Sequence, residues 1–223
     1  MKKLLSLAFL LFFSLCFASK SNATAIIGII GENGTMYMGA DDALTAGTAI
    51  IRHKNQKIFV LKNGEEGQEP LIIGSSGSAR KGQLIEYMPI PKHDPKQSTH
   101  QYITITLTEA IKKTLRENNE LIIEADGTVR QSGLILVAYK GKLFRIGVAF
   151  SVTEQPGYAA IGSGAAYCLG SLETTNYIAS LGPAERILLG LRAASARVTT
   201  VVPPFHIFIV DSAGVIETHT IKE

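Results

Sequence analysis

Short β-branched runs fall in three blocks along this chain, and each gap between blocks holds two stretches of helical periodicity. The first block comprises residues 25–30, 35–40, 48–52, 57–61 and 71–74; the second 121–124, 133–139, 143–150 and 158–161; the third 205–211 and 215–221. Each run is short, apolar and bounded by turn residues, the pattern of strands buried in a sheet. Asn33-Gly34 and Lys140-Gly141 lie between adjacent runs and tolerate the positive φ of a tight hairpin turn, which makes those neighbours antiparallel. The polar, small-residue stretch 41–47 reads as a connection. Strands, two helices, strands, two helices, strands is not the alternation of a doubly wound parallel sheet. It predicts an α+β fold, with stacked antiparallel sheets flanked by helices.

The helical stretches carry their own start and stop signals. Ser75-Ser76-Gly77-Ser78 offers an N-terminus to a helix with Leu84, Ile85 and Met88 on its buried stripe, ending near Pro89. Ser98 or Thr99 caps the next, in which Ile103, Leu107, Ile111 and Leu115 share a face, although Thr104, Ile105 and Thr106 prefer strand. Gly162-Ser163-Gly164 opens a third through Leu169, Leu172 and Ile178. Gly182-Pro183 opens a fourth with Ile187, Leu191, Ala194 and Val198 as its stripe.

The first 23 residues stand apart from this plan. Lys2 and Lys3, an apolar run from Leu4 to Ala18 and small residues up to Ala23 have the order of a secretory signal, which predicts a cleaved segment 1–23, a domain 24–223 and a periplasmic or secreted product. The run is shorter than the roughly 20 residues of a membrane span, so no stable anchor is expected after cleavage. Cleavage after Ala23 leaves Thr24 first; Cys16-Phe17-Ala18 offers a second site that leaves Ser19 first. The segment also holds Lys2, Lys3 and Lys20 and no acidic residue, which together account for the whole formal charge of +3. The remainder is neutral, with no electrostatic case for nucleic acid as a partner. Of two cysteines only Cys168 lies beyond the signal, so no internal disulfide can form there. The five histidines, His53, His93, His100, His206 and His219, lack metal-ligand spacing. Gly162-Ser163-Gly164 lacks the third glycine and βαβ context of a dinucleotide loop. No cofactor or metal is expected.

Six pieces keep a common order along the chain: Thr24-Ala25-Ile26-Ile27-Gly28, Met38-Gly39-Ala40-Asp41, Thr45-Ala46-Gly47, Lys57-Ile58, Gly74-Ser75-Ser76-Gly77 and Ala160-Ile161-Gly162-Ser163-Gly164-Ala165-Ala166-Tyr167. In these the chain resembles the proteasome β-subunit family, and within it the HslV peptidases. The resemblance implies an N-terminal nucleophile (Ntn) hydrolase with a four-layer αββα sandwich. It implies Thr24 as nucleophile with its own α-amino group as base, Lys57 as the neighbouring cation, Asp41 as the carboxylate that holds Lys57, Gly77 as the oxyanion donor and Ser163 as the serine beside the amine. Thr45 and Gly47 would align an extended peptide substrate. It further implies a peptide or unfolded protein substrate and a homo-oligomeric ring.

Taken singly, these residues have plainer readings. Thr24 suits a strand, Asp41 and Lys57 suit a solvated surface, Thr45 and Gly47 suit a turn, and Ser163 suits a helix N-cap. One departure stands out. Where the family carries an aspartate and then a serine or glycine in support of Ser163 and the amine, Ala193 and Ala196 stand here, with Ser195 near on a shifted register. Two alternatives to an exported threonine peptidase therefore stay open: a non-catalytic ring or binding protein, and an amidase acting on a small amide.

Overall fold

A computed structural model describes residues 24–46, 49–52, 57–62, 69–214 and 216–222. The expected signal 1–23, Gly47, His53 and most of the loop beginning at Asn63 lie outside the described residues.

β1 (Ile26–Ile30) turns at Asn33-Gly34 into β2 (Met36–Asp41), and both turn residues take positive φ. β3 (Ala43–Ala46) and β4 (Ala49–Arg52) pair in a separate hairpin. β5 (Ile58–Leu61) and β6 (Leu71–Ser75) lead to helix α1 (Ala79–Tyr87). Helix α2 spans 99–117, with a π-helical stretch at Tyr102–Leu107. Next come β7 (Leu121–Ile123), β8 (Val129–Gln131), β9 (Ile135–Tyr139), β10 (Lys142–Ile146), β11 (Val152–Gln155) and β12 (Tyr158–Ile161). Helices α3 (Ala165–Thr175) and α4 (Pro183–Ser195) precede the hairpin of β13 (Phe205–Val210) and β14 (Ile216–Ile221).

Ten of the strands form two five-stranded antiparallel sheets, ordered β12-β1-β2-β13-β14 and β11-β10-β9-β6-β5, while β7 pairs with β8 in a hairpin of its own, as β3 does with β4. Three apolar layers hold the stack together. Ile26, Met38, Ile72, Leu136 and Phe208 fill the space between the sheets. Ile27, Ile187, Leu191 and Ala194 join the first sheet to α3 and α4, while Ile73, Ile103, Leu107 and Ile111 join the second sheet to α1 and α2. Ile26 and Ile27 thus serve opposite faces of β1, which explains its unbroken apolar run: a strand covered on both faces has no polar side to alternate. The order helices, sheet, sheet, helices is the expected αββα sandwich.

Several local expectations need correction. Residues 43–46 are strand, although their small polar composition reads as a connection. β8 and β11 carry no apolar alternation that would mark them. Helix α3 buries Cys168, Leu172 and Thr175; Leu169 is exposed, and Ile178 lies beyond the helix on the surface. Ser163 is not the cap of α3, which is capped at Gly164 without a side-chain hydrogen bond. Ser98, rather than Thr99, caps α2, with Gln101 completing a capping box. The β-branched run 104–106 is accommodated by the wider π-helical turn, in which the Thr108 hydroxyl donates to the Ile103 carbonyl at 2.7 Å.

Candidate functional site

At one end of the sandwich β1 begins, β2 ends, β5 begins and β6 and β12 end. Antiparallel pairing brings these termini together from distant parts of the chain. Thr24, two residues before β1, is buried at 4% exposure in the full-length chain. Its carbonyl accepts the Gly164 N–H at 3.2 Å, beyond the last paired residue of β12. Its amide N–H donates to Ser163 Oγ at 3.2 Å, and that hydroxyl donates back to the Thr24 carbonyl at 3.5 Å. Gly162, with φ +97°, lets the chain pass: a Cβ there would run into the Thr24 carbonyl.

Asp41 closes the other side. It ends β2, is buried, and accepts the Ala25 N–H at 2.8 Å and the Ala43 N–H at 3.1 Å. Lys57 Nζ donates to both Asp41 oxygens at 2.8 Å. Because Lys57 precedes β5 in the second sheet and Asp41 ends β2 in the first, the ion pair ties the two sheets together beside Thr24. Burial pushes the Asp41 carboxyl up and the Lys57 ammonium down, and the attraction of each for the other opposes that loss of charge. Four donated hydrogen bonds on one carboxylate favour its ionised form.

Gly77 follows from Lys57 through β6. The Ser75 N–H donates to the Lys57 carbonyl at 2.9 Å, and the chain then turns through Ser76, Gly77 and Ser78 into α1. Gly77 has φ +99°, and a Cβ on it would strike the Ser132 carbonyl. Among the described residues no acceptor takes the Gly77 N–H. The structure thus gathers Thr24, Asp41, Lys57 and Ser163 into one bonded cluster and puts Gly77 two residues past a strand end bonded to Lys57. Thr45 lies in β3 opposite Ile50, whereas Gly47 lies outside the described residues. Ala193 is half-buried and Ala196 exposed; both described bonds of Ser163 Oγ go to Thr24, and among the described residues no carboxylate is bonded to it.

Sequence reading missed Lys81 and Ser132. Lys81 lies in the first turn of α1 and is completely buried, its Nζ donating to the Ser132 carbonyl. Burial pushes this lysine down to about 7, with Glu120 the opposing attraction. A lysine at the third position of a helix carries no mark that would set it apart from a solvated one. Between about 7 and the ordinary 10.5 the unfolded chain holds a proton that the folded chain does not. Stability should therefore rise with pH across that window, by at most about 1.4 kcal/mol per unit, being complete above the upper value and gone below the lower. Melting temperatures measured from pH 7 to 10 check this, and Lys81→Met should flatten that rise.

Among the described residues no helix is long and apolar enough to cross a membrane, and no three acidic, histidine or cysteine side chains lie close enough to hold a metal.

Two antiparallel sheets between two helical layers, with a threonine at the head of the first strand and a lysine–aspartate pair beside it, define the Ntn hydrolase fold of the proteasome-like kind. Among solved structures, BPH of Thiobacillus denitrificans in complex with epoxomicin shares this fold at a TM-score of 0.67 and 20% identity, covering 84% of this chain and 98% of that one. BPH alone gives 0.66, 19%, 84% and 97% in the same order. A eukaryotic HslV from Trypanosoma brucei gives 0.56, 14%, 83% and 98%. At these identities the likeness is one of fold. No family model matches the chain.

Proposed function

We propose that this chain is an exported threonine-type peptidase that cleaves peptide bonds through an acyl-enzyme on Thr24. The observation that carries the proposal is the bonded cluster itself. Thr24 N lies 3.2 Å from Ser163 Oγ, while Asp41 holds Lys57 with one pair of contacts and the next residue, Ala25, with another. In the full-length chain Thr24 N is an amide and no base. Cleavage after Ala23 would convert it to a free amine, which titrates near pH 8 and can take the hydroxyl proton at neutral pH. The hydroxyl oxygen then attacks the substrate carbonyl, the Gly77 N–H receives the developing oxyanion, and the amine passes its proton to the leaving nitrogen. Water, activated by the same amine, releases the acyl group and restores Thr24. Lys57 keeps a positive charge beside the hydroxyl, and Asp41 keeps Lys57 charged and aimed.

The likeness to a structure solved with epoxomicin supports this class of chemistry, and a homo-oligomeric ring belongs to the proposal through the resemblance of the six ordered sequence pieces alone. Thr45 and Gly47 would line the approach of an extended peptide. A second reading, a ring or binding protein without catalysis, draws on Ala193 and Ala196, which stand where the family carries the aspartate and serine or glycine, and on Ser163 Oγ, whose described bonds both go to Thr24.

The test is the mature N-terminus together with labelling by a peptide epoxyketone. The expected result is Thr24 first and a covalent adduct on it. Ser19 first by mass spectrometry would sink the catalytic role of Thr24, and a Thr24 start without labelling would favour the second reading. Gly77→Ala supplies an independent check. Its Cβ would push the turn off the Ser132 carbonyl at a φ that alanine avoids, so kcat should fall about a hundredfold with little change in KM.

A further inference from the structure

The turn carrying Gly77 is braced from behind by groups that the chemistry above does not use. Ser76 is fixed by three contacts with Leu134: its N–H donates to the Leu134 carbonyl at 3.0 Å, its Oγ donates to that carbonyl at 3.1 Å, and the Leu134 N–H donates to Ser76 Oγ at 3.0 Å. Ser78 N–H donates to Ser132 Oγ at 2.8 Å. Gly77 lies between them with its Cα against the Ser132 carbonyl, and Gly133 in turn lies against the Ser76 carbonyl, both glycines at positive φ. Ser132 therefore sets the turn twice, through its hydroxyl on one side of Gly77 and its carbonyl on the other.

One group holds that carbonyl from inside the protein. Lys81 Nζ donates to it from a fully buried position, and no carboxylate of the described residues lies within ion-pair distance of Lys81. A buried lysine whose attraction to Glu120 acts only from beyond ion-pair distance costs stability, and an apolar side chain of the same length would fill the space without that cost. Its amine can donate in either protonation state, so the bond to Ser132 persists when the charge is lost.

We infer that Lys81 is a positioning residue for the oxyanion-binding turn, acting through the Ser132 carbonyl on which Gly77 rests. The inference rests on the reading of Gly77 as the oxyanion donor. Donor placement matters steeply, because a displacement of about 1 Å at a reacting centre can cost about a hundredfold in rate. Without Lys81 the Ser132 carbonyl is free to tilt, and the Gly77 N–H tilts with it.

The test compares the processed wild type with Lys81→Met, Ser132→Ala and the double variant, using epoxomicin as the probe. The inactivation rate and the initial binding constant are measured separately, with amide hydrogen exchange over residues 76–78 on the same samples. Lys81→Met should slow inactivation by about tenfold to a hundredfold. Its binding constant should stay unchanged and exchange at Ser78 should quicken. The double variant should be no slower than the slower single one, since both changes act through one turn. Wild-type inactivation in Lys81→Met, with Ser78 exchange unaltered, overturns the inference. If the wild type itself is not labelled, the proposed peptidase reading fails, and exchange alone then decides: unaltered protection at Ser78 in Lys81→Met overturns the positioning role and faster exchange supports it. Should Lys81→Met not fold, Lys81→Gln replaces it and is read by the same two measurements.

Discussion

Thr24→Ala should abolish peptide hydrolysis and epoxyketone labelling while leaving the fold intact. The alanine keeps the backbone contacts that fix the start of β1, because these use the residue 24 amide and carbonyl rather than its side chain: Ser163 Oγ on the N–H and the Gly164 N–H on the carbonyl. It also keeps β-sheet packing on both faces, which begins at Ala25 and Ile26. What it removes is the one oxygen that can form the acyl bond. Loss of a nucleophile costs about 10⁴-fold or more in kcat/KM in other hydrolases, and no second hydroxyl on the same residue can substitute. Thr24→Ser separates the two contributions of the threonine, since it retains the hydroxyl and drops the methyl; it should keep measurable turnover. Retained hydrolysis in Thr24→Ala, with a single purified species and an unchanged melting temperature, would place the chemistry elsewhere and favour the binding-protein reading.

Under the proposed cleavage after Ala23, export processing and activation become one event. Peptide-bonded to Ala23, Thr24 N has a single hydrogen, already given to Ser163. Only removal of the preceding residues makes it basic. A precursor with Ala23→Pro, which blocks cleavage at that bond, should accordingly show no labelling even though Asp41, Lys57 and Gly77 are all in place.

Some of this was legible in the sequence and some was not, for physical reasons that differ from residue to residue. Ile26, Ile27 and their neighbours announced a strand because burial on both faces demands an unbroken apolar run. Ile103, Leu107, Ile111 and Leu115 announced a helix face, and all four are fully buried. Asn33-Gly34 announced its hairpin through two positive φ angles that few other residues tolerate. By contrast β11 reads Val-Thr-Glu-Gln at the edge of its sheet, where one neighbour suffices and exposed polar side chains are acceptable. Residues 43–46 are short and weakly apolar, so their strand rests on pairing with β4, a non-local fact. The site followed the same rule. Asp41 and Lys57 are 16 positions apart, and nothing in their composition says that β2 and β5 bring them to 2.8 Å; the family resemblance suggested the pairing that the sheets provide. Ser163 looked like a cap because serine before a helix usually is one, and its hydroxyl is instead spent on Thr24, 139 positions away.

Removing one partner of the Asp41–Lys57 pair should do more harm than removing both. Lys57→Met leaves a carboxylate that is 1% exposed with only the Ala25 and Ala43 N–H groups among its described donors, and an unpaired buried charge of this kind costs about 3–5 kcal/mol. Lys57 is itself slightly open, with 12% of its side chain exposed, so water offsets a little of that cost. The double variant Asp41→Asn, Lys57→Met removes both charges, and an asparagine oxygen can still accept from Ala25. Its stability should recover most of the loss, as apolar or neutral replacements of buried ion pairs commonly do. Activity should not recover. In the proposed mechanism Lys57 supplies positive charge to the Thr24 hydroxyl, and neither variant restores it, so both should hydrolyse peptides at least about a hundredfold more slowly than the wild type. Chemical denaturation and peptide turnover on the same three proteins test this directly. Recovery of stability without recovery of turnover assigns the pair to the chemistry as well as the fold; recovery of both would show that Asp41 and Lys57 serve only to bolt the two sheets together beside Thr24.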